Sequence, residues 1–217
     1  MLPSITLPLL EALWQTLYMV AISGLLSIVL GLPLGVLLYI TRPGGIKAHA
    51  SLYKSIGTLT NAIRSIPFII LLVAIIPLTR LLVGTSIGTT AAIIPLTLGA
   101  IPFVGRIVEN ALLEVPRGLI EAGHAMGATS WQIVSKILLP EARSSIINGM
   151  TVTFVTLVNY SAMAGAVGGG GLGDLAIRYG YQRFDMSVML ITIAILIGLV
   201  QIIQSVGEVL AKHYTRI

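Results

Sequence analysis

An all-α membrane protein with five spanning helices per chain is the fold class this sequence predicts, and three observations carry it. Of 217 residues, 56% are hydrophobic and only 10% are charged, against roughly 25% charged in an ordinary soluble domain. Uncharged runs cover residues 12–41, 65–79, 81–105, 144–173 and 186–207, and a helix needs about 20 residues to cross hydrocarbon. Basic residues gather in alternate loops, as the positive-inside rule requires of a multi-pass chain.

The spans follow in order. Residues 1–16 hold no Lys or Arg, whereas a cleaved signal peptide opens on a basic stretch, so the first helix is expected to stay. The second run is short by itself. Arg64 is therefore expected at its membrane edge, its guanidinium reaching the headgroups while the helix continues back toward Lys54. The other four runs are long enough outright. Pro67, Pro77, Pro95 and Pro102 are expected to bend the second and third helices. Cysteine is absent, which excludes disulfides, thiolate chemistry and Cys-based metal sites.

With five spans the termini face opposite sides, and the loops sort by charge. Arg42, Lys47, Lys54, Arg106, Arg117, Lys136, Arg143, Lys212 and Arg216 fall on one side; Arg80, Arg178 and Arg183 fall on the other. The N-terminus is thus expected outside, the C-terminus inside, and residues 106–143 in the cytoplasm of a single transmembrane domain spanning residues 1–217. The net charge of +5 then reports orientation and no nucleic-acid partner.

The loop 106–143 also holds Glu109, Glu114, Glu121 and Glu141, four of the chain's eight acids. Pro116 suits a first helical turn, and Leu119, Ala122, Gly123 and Met126 fall on one face. Gly127 suits a C-terminal stop. Thr129 with Gln132 matches a capping box that starts a second short helix, which Pro140 ends or re-aims into the fourth span. The loop reads as helix, turn, helix.

Within it, Glu121-Ala122-Gly123, then Gly127, Ile137 and Leu139-Pro140 resemble the "EAA" signature of permease subunits of bacterial ATP-binding-cassette (ABC) importers. Every position matches except Gly123, where the family has its second Ala. Gly there costs roughly 1 kcal/mol of helix propensity but keeps the face small. Further stretches resemble the branch that imports amino acids and osmoprotectants: Arg64-Ser65-Ile66-Pro67-Phe68, Glu109-Asn110-Ala111-Leu112, and the glycines Gly169, Gly170, Gly171 and Gly173. "LPLGVLLYITRPG", "VENALLEVP" and "YSAMAGAVGGGGLG" extend the likeness over nearly the whole chain, to permeases of methionine-uptake importers.

The resemblance implies a homodimer in the bacterial inner membrane, served by two ATPase subunits and by a periplasmic or lipoprotein solute-binding protein. It implies methionine as cargo and no cofactor, with glycine betaine or another amino acid as the alternative. It assigns Glu121, Ala122, Gly123, Ala125, Met126, Gly127, Ile137, Leu139 and Pro140 to the surface that an ATPase grips.

The residues agree that the motor is another polypeptide. A Walker A loop ends in Gly-Lys, and none of Lys47, Lys54, Lys136 or Lys212 follows a Gly. Gly168-x-Gly170-x-x-Gly173 fits a dinucleotide fingerprint and Gly84-Thr85-Ser86-Ile87-Gly88 a nucleophile elbow. Both need a preceding buried strand that a helical membrane protein does not supply. An intramembrane protease is disfavoured too, since His49, His124 and His213 all fall in segments expected in the cytoplasm. The glycine run is expected to let the backbone leave the fourth helix near the outer face.

The fourth span carries Thr151, Thr153, Thr156, Asn159, Tyr160 and Ser161, then Met163. Hydroxyls are ordinary packing groups between membrane helices, and they also suit a solute path. Asn159, Tyr160, Ser161 and Met163 are the candidates for that path, where a thioether and an aromatic ring could meet a methionine side chain. Arg64 is read two ways: as a snorkelling cation, or as half of a salt bridge to Glu109 that steadies the cytoplasmic gate.

Overall fold

A computed structural model describes residues 6–214, and among these every regular element is a helix. Arg216, counted above among the basic residues of one face, lies outside them. Helix α1 (Thr6–Thr41) has 36 residues, about 54 Å at 1.5 Å per residue, well beyond the roughly 30 Å of hydrocarbon. It packs along α5 (Thr89–Leu113) through a seam of small residues. A Cβ at Gly31 would meet the Val104 side chain at 2.6 Å, and one at Gly35 would meet the Gly105 carbonyl at 2.5 Å. Ser27 lies on the same seam and donates to the Thr97 carbonyl at 3.3 Å. Small residues let membrane helices approach at the backbone, where dispersion and cross-helix hydrogen bonds hold them.

The second crossing departs from expectation. Helix α2 (Ala50–Ser65) stops at Ile66, and α3 (Phe68–Ala74) leaves at 103° to it. The cause is local. Pro67 excludes the preceding residue from helical space, and Ile66 is extended at φ −79°, ψ 125°. The helix expected to run from Lys54 through the second run, bent at Pro67, is instead broken there into two. After α4 (Ile76–Val83), with Pro77 in its first turn, Gly84 and Gly88 take positive φ. The third spanning helix accordingly begins at Thr89, not near Leu81, although residues 81–88 are uncharged.

Helices α6 (Arg117–Ala125), α7 (Ser130–Ile133) and α8 (Leu139–Glu141) fill the loop before α9 (Arg143–Ala164). A π turn at Gly165–Gly169, α10 (Gly171–Leu175) and a second π turn at Ala176–Tyr181 lead into α11 (Met186–Tyr214). Four helices, beginning at Thr6, Thr89, Arg143 and Met186, are long and apolar enough to cross a membrane; the broken pair α2–α3 makes the fifth when counted as one span. Met19, Leu96 and Leu157 are fully buried where α1, α5 and α9 meet, and Leu172 of α10 is fully buried in a second cluster with Ala12 of α1 and Val188 of α11.

Candidate functional site

The loop between α5 and α9 is a fixed structure. Gly127 is left-handed at φ 77° and its N–H donates to the His124 carbonyl at 2.9 Å, while Ala128 N–H donates to the Gly123 carbonyl at 3.0 Å. These two bonds are a Schellman closure of α6. Two residues on, Thr129 N–H donates to Gln132 Oε1 at 2.8 Å and Gln132 N–H to Thr129 Oγ1 at 3.3 Å, the capping box expected from sequence. Stop and start signals separated by one residue make a turn with little freedom. Helix α7 then widens into a π turn over Val134–Leu138 before Pro140 and the bend at Ala142 that opens α9.

The elbow is welded to the bundle from beneath. Ile133, Val134 and Leu138 join Tyr39 of α1 and Val104, Val108 and Leu112 of α5 in one buried cluster. Gly123 faces this cluster, where a Cβ would come within 2.8 Å of Ile137 Cδ1. The face expected to be small for a partner's sake is thus divided: Gly123 serves a contact within the chain, whereas Leu119, Ala122 and Met126 are exposed. Met126 is 79% and Trp131 72% exposed. Glu121 and His124 line a groove of about 280 Å³ against Arg42 and Arg117. Ala125 is also exposed, and Ile137 and Leu139 are partly buried against the cluster.

Deeper in the bundle, Arg106 Nη1 donates to Glu109 Oε2 at 2.6 Å, and its Nη2 donates to the Gly57 carbonyl of α2 at 3.0 Å. Glu109 is therefore engaged by its own helix, and the salt bridge to Arg64 weighed from sequence is absent. The guanidinium of Arg64 lies over the Phe103 ring instead, 5.8 Å from its centroid.

Along α9 the path candidates separate. Asn159 and Met163, four residues apart, are exposed on one stripe. Tyr160 stacks on Phe68 with centroids 4.3 Å apart and planes 2° from parallel. Ser161 points the other way: it is 2% exposed and donates to the Val158 carbonyl at 2.7 Å. Thr151, Thr153 and Thr156 each donate to the carbonyl one turn back, ordinary satisfaction of a hydroxyl in apolar surroundings.

The glycine segment does let the chain leave α9, and the closeness of its packing explains its composition. Cβ atoms at Gly165 and Gly173 would collide with the Asp174 N–H and the Ala162 carbonyl; one at Gly169 would meet the Ala164 carbonyl at 2.7 Å. Gly170 and Gly171 have positive φ. The next turn is held from α1, where Gln15 Oε1 accepts from Gly171 N–H at 2.7 Å and Thr16 Oγ1 from Leu172 N–H at 2.9 Å. Gln15, Thr16 and Arg106 stand outside the set expected from sequence. A polar residue isolated in an apolar run was the available signal, because hydrocarbon gives it no other partner.

Residues 31–216 match the family model described as binding-protein-dependent transport system inner membrane component. The chain is 60% identical over 205 residues to the probable D-methionine transport system permease protein MetI of Vibrio cholerae, covering 94% of this chain and 91% of that one. It is 60% identical over 157 residues to the D-methionine transport system permease protein MetI of Escherichia coli K12, covering 72% of each. A chain of the MetNI methionine ABC transporter, solved in inward-facing conformations, superposes with a TM-score of 0.97 at 54% identity, over 98% of this chain and 99% of that one. A chain of an amino acid ABC transporter shares the fold at TM-score 0.81 and 17% identity, over 98% and 96% of the two chains. On this match and these relatives, the chain belongs to the family of inner membrane components of binding-protein-dependent transport systems.

Proposed function

We propose that this chain is the permease subunit of an ABC importer for methionine. It works as a homodimer, with two copies of a separate ATPase on the cytoplasmic side and a solute-binding protein delivering cargo from outside. The N-terminus faces out and the C-terminus in, which puts residues 106–143 in the cytoplasm as one coupling unit of a single transmembrane domain.

The observation that carries the coupling role is an exposed apolar surface on a rigid elbow. Met126 and Trp131 stand out in water from a turn held at both ends by hydrogen bonds, and exposed large apolar groups on a fixed surface suit a protein partner. The Glu121 carboxylate has no ion-pair partner among the described residues, which leaves it free to meet a basic group on the ATPase. Beneath the elbow, Ile133, Val134 and Leu138 pass any displacement to α1 and α5. Closure of the ATPase pair would move α6, and the spans would rotate to change which side is open. Asn159, Tyr160 and Met163 on α9 border the route.

The relatives named for methionine favour this cargo over glycine betaine or another amino acid. Uptake of labelled L- and D-methionine tests the reading, in cells lacking their own importer and supplied with the ATPase, the binding protein and either the natural chain or Glu121→Lys. Uptake with the first and not the second is expected. An inserted, ATPase-bound complex that imports neither enantiomer would rule out methionine as cargo.

A further inference from the structure

The apolar face of α11 ends in a charged groove that neither Met126 nor Trp131 of the elbow lines. The groove has a volume of about 500 Å³ and lies where α11 finishes and α9 begins, with Lys136, Glu141, Arg143, His213 and Tyr214 among its walls. Its depth follows from the chain. The uncharged part of α11, residues 186–207, covers about 33 Å at 1.5 Å per residue, close to the roughly 30 Å of hydrocarbon, so residues 208–214 stand at the level of the headgroups. Arg143 likewise opens α9 just before the uncharged run 144–173.

Two features set this groove apart from an ordinary charged surface. Lys136, Glu141 and Arg143 have no ion-pair partner among the described residues, although all three line the one groove. They are exposed, as groups that meet a headgroup at the bilayer surface must be. Tyr214 fixes one wall: the Arg143 guanidinium lies 4.7 Å from its ring centroid, and His213 meets it edge-on at 5.1 Å. A guanidinium stacked through its face keeps its N–H edge for an oxyanion. The second feature is an apolar ridge. Ile202, Val206 and Leu210 are exposed at intervals of four residues, and the next step of that interval is Tyr214. Residues four apart share one face of a helix, so the ridge runs along the membrane-spanning part of α11 and into the groove.

We propose that the groove holds the headgroup of a phospholipid with a primary ammonium, such as phosphatidylethanolamine, in the leaflet where α11 ends. Arg143 takes the phosphodiester through paired N–H donors, with Lys136 beside it as a second cation. Glu141 takes the ammonium, and one acyl chain lies along Leu210, Val206 and Ile202. Basic pockets at the ends of spanning helices are suited to lipid headgroups. Each kind of charge in this groove then meets its opposite, whereas an anionic headgroup would leave the carboxylate unpaired. The ridge favours a lipid over a soluble phosphate, because only a lipid covers the apolar residues that continue from the groove. The assignment is independent of the cargo the importer carries.

Photolabelling of the natural permease–ATPase complex in lipid nanodiscs tests it. Three lipids with the same diazirine-bearing acyl chain, and ethanolamine, choline or glycerol headgroups, are compared in separate nanodiscs, and crosslinked peptides are mapped by mass spectrometry. Choline keeps the positive charge but has no N–H to give Glu141; glycerol has no cation at all. Within residues 202–214 the ethanolamine lipid is expected to label about fivefold more than either, the factor that exposed charge pairs supply. Along the exposed apolar residues of α1, such as Leu25 and Val29, all three should label equally. Glu141→Gln should abolish the preference for ethanolamine over glycerol, and Lys136→Gln/Arg143→Gln should lower the label from all three lipids. Excess inorganic phosphate should leave the label in place. Equal or glycerol-favouring label within residues 202–214, the same ethanolamine preference along α1, displacement by phosphate, or no label there in the assembled complex would each overturn the site. The headgroup comparison is made on the natural complex, so none of these outcomes depends on the folding of a variant.

Discussion

Arg106 and Glu109 meet at 2.6 Å one helical turn apart, with Glu109 only 3% exposed. The same guanidinium holds the Gly57 carbonyl of α2, so one pair joins the C-terminal half of α5 to the helix that precedes the break. Its value is largest when one partner is removed, because the survivor remains charged in apolar surroundings.

Glu109→Ala is accordingly expected to cost about 3 kcal/mol. The double variant Arg106→Met/Glu109→Met should recover most of that loss, since both charges leave together. Thermal unfolding of the detergent-purified chain measures it. A double variant no more stable than Glu109→Ala would show that the pair is not the source of the effect.

At Gly123 the outcome should depend on size. Ala places a Cβ against the tip of Ile137, a flexible end that can turn aside, and it gains up to about 1 kcal/mol of helix propensity, so Gly123→Ala should fold and transport nearly normally. Gly123→Leu has no such escape and should lift α6 from the π turn. Uptake per ATP hydrolysed distinguishes the two; equal ratios for both variants would mean that this packing does not transmit the stroke.

The elbow offers a paired test. Gly127→Ala forces a Cβ into left-handed backbone at about 1–2 kcal/mol, and Thr129→Ala removes a cap worth about 1 kcal/mol. Each should raise hydrogen exchange in residues 117–133 while leaving α1, α5 and α9 protected. Unchanged exchange in the elbow would show that tertiary packing alone fixes it.

In the glycine segment, Gly173→Ala drives a Cβ into the Ala162 carbonyl of α9, whereas a Cβ at Gly198 of α11 meets nothing. The first should reduce the folded protein recovered from membranes severalfold, because backbone cannot turn aside as a side chain can; Gly198→Ala should not. Comparable recovery of both would mean that the segment shifts to accept a methyl group.

Much of this was legible in the chain. Four long uncharged runs became α1, α5, α9 and α11, because in hydrocarbon the backbone must satisfy itself and an apolar run of sufficient length has only the helix to form. Gly127 with Thr129 and Gln132 gave the elbow to within a residue, since these signals act over three or four residues and need no distant partner. The residues proposed for coupling were read by register, yet the packing role of Gly123 was not, because Ile137 reaches it only after the chain has turned back on itself.

The second span shows where local reasoning stops. Its composition allowed a continuous helix from Lys54 onward. Pro67 announced a bend, but the 103° turn and the groove behind it depend on Phe68, Gly99 and Tyr160 arriving from three helices. Arg64 and Glu109 were sensible mates by charge, and the competition was settled by Arg106, one turn away on the same helix. The sequence by itself determined the number of apolar segments, the elbow and the family, because length, charge pattern and short-range hydrogen bonding are written in consecutive residues. Only the tertiary structure decided which buried charge found its partner, which serine turned inward and where a groove opened, because those follow from close approach between helices far apart in the chain.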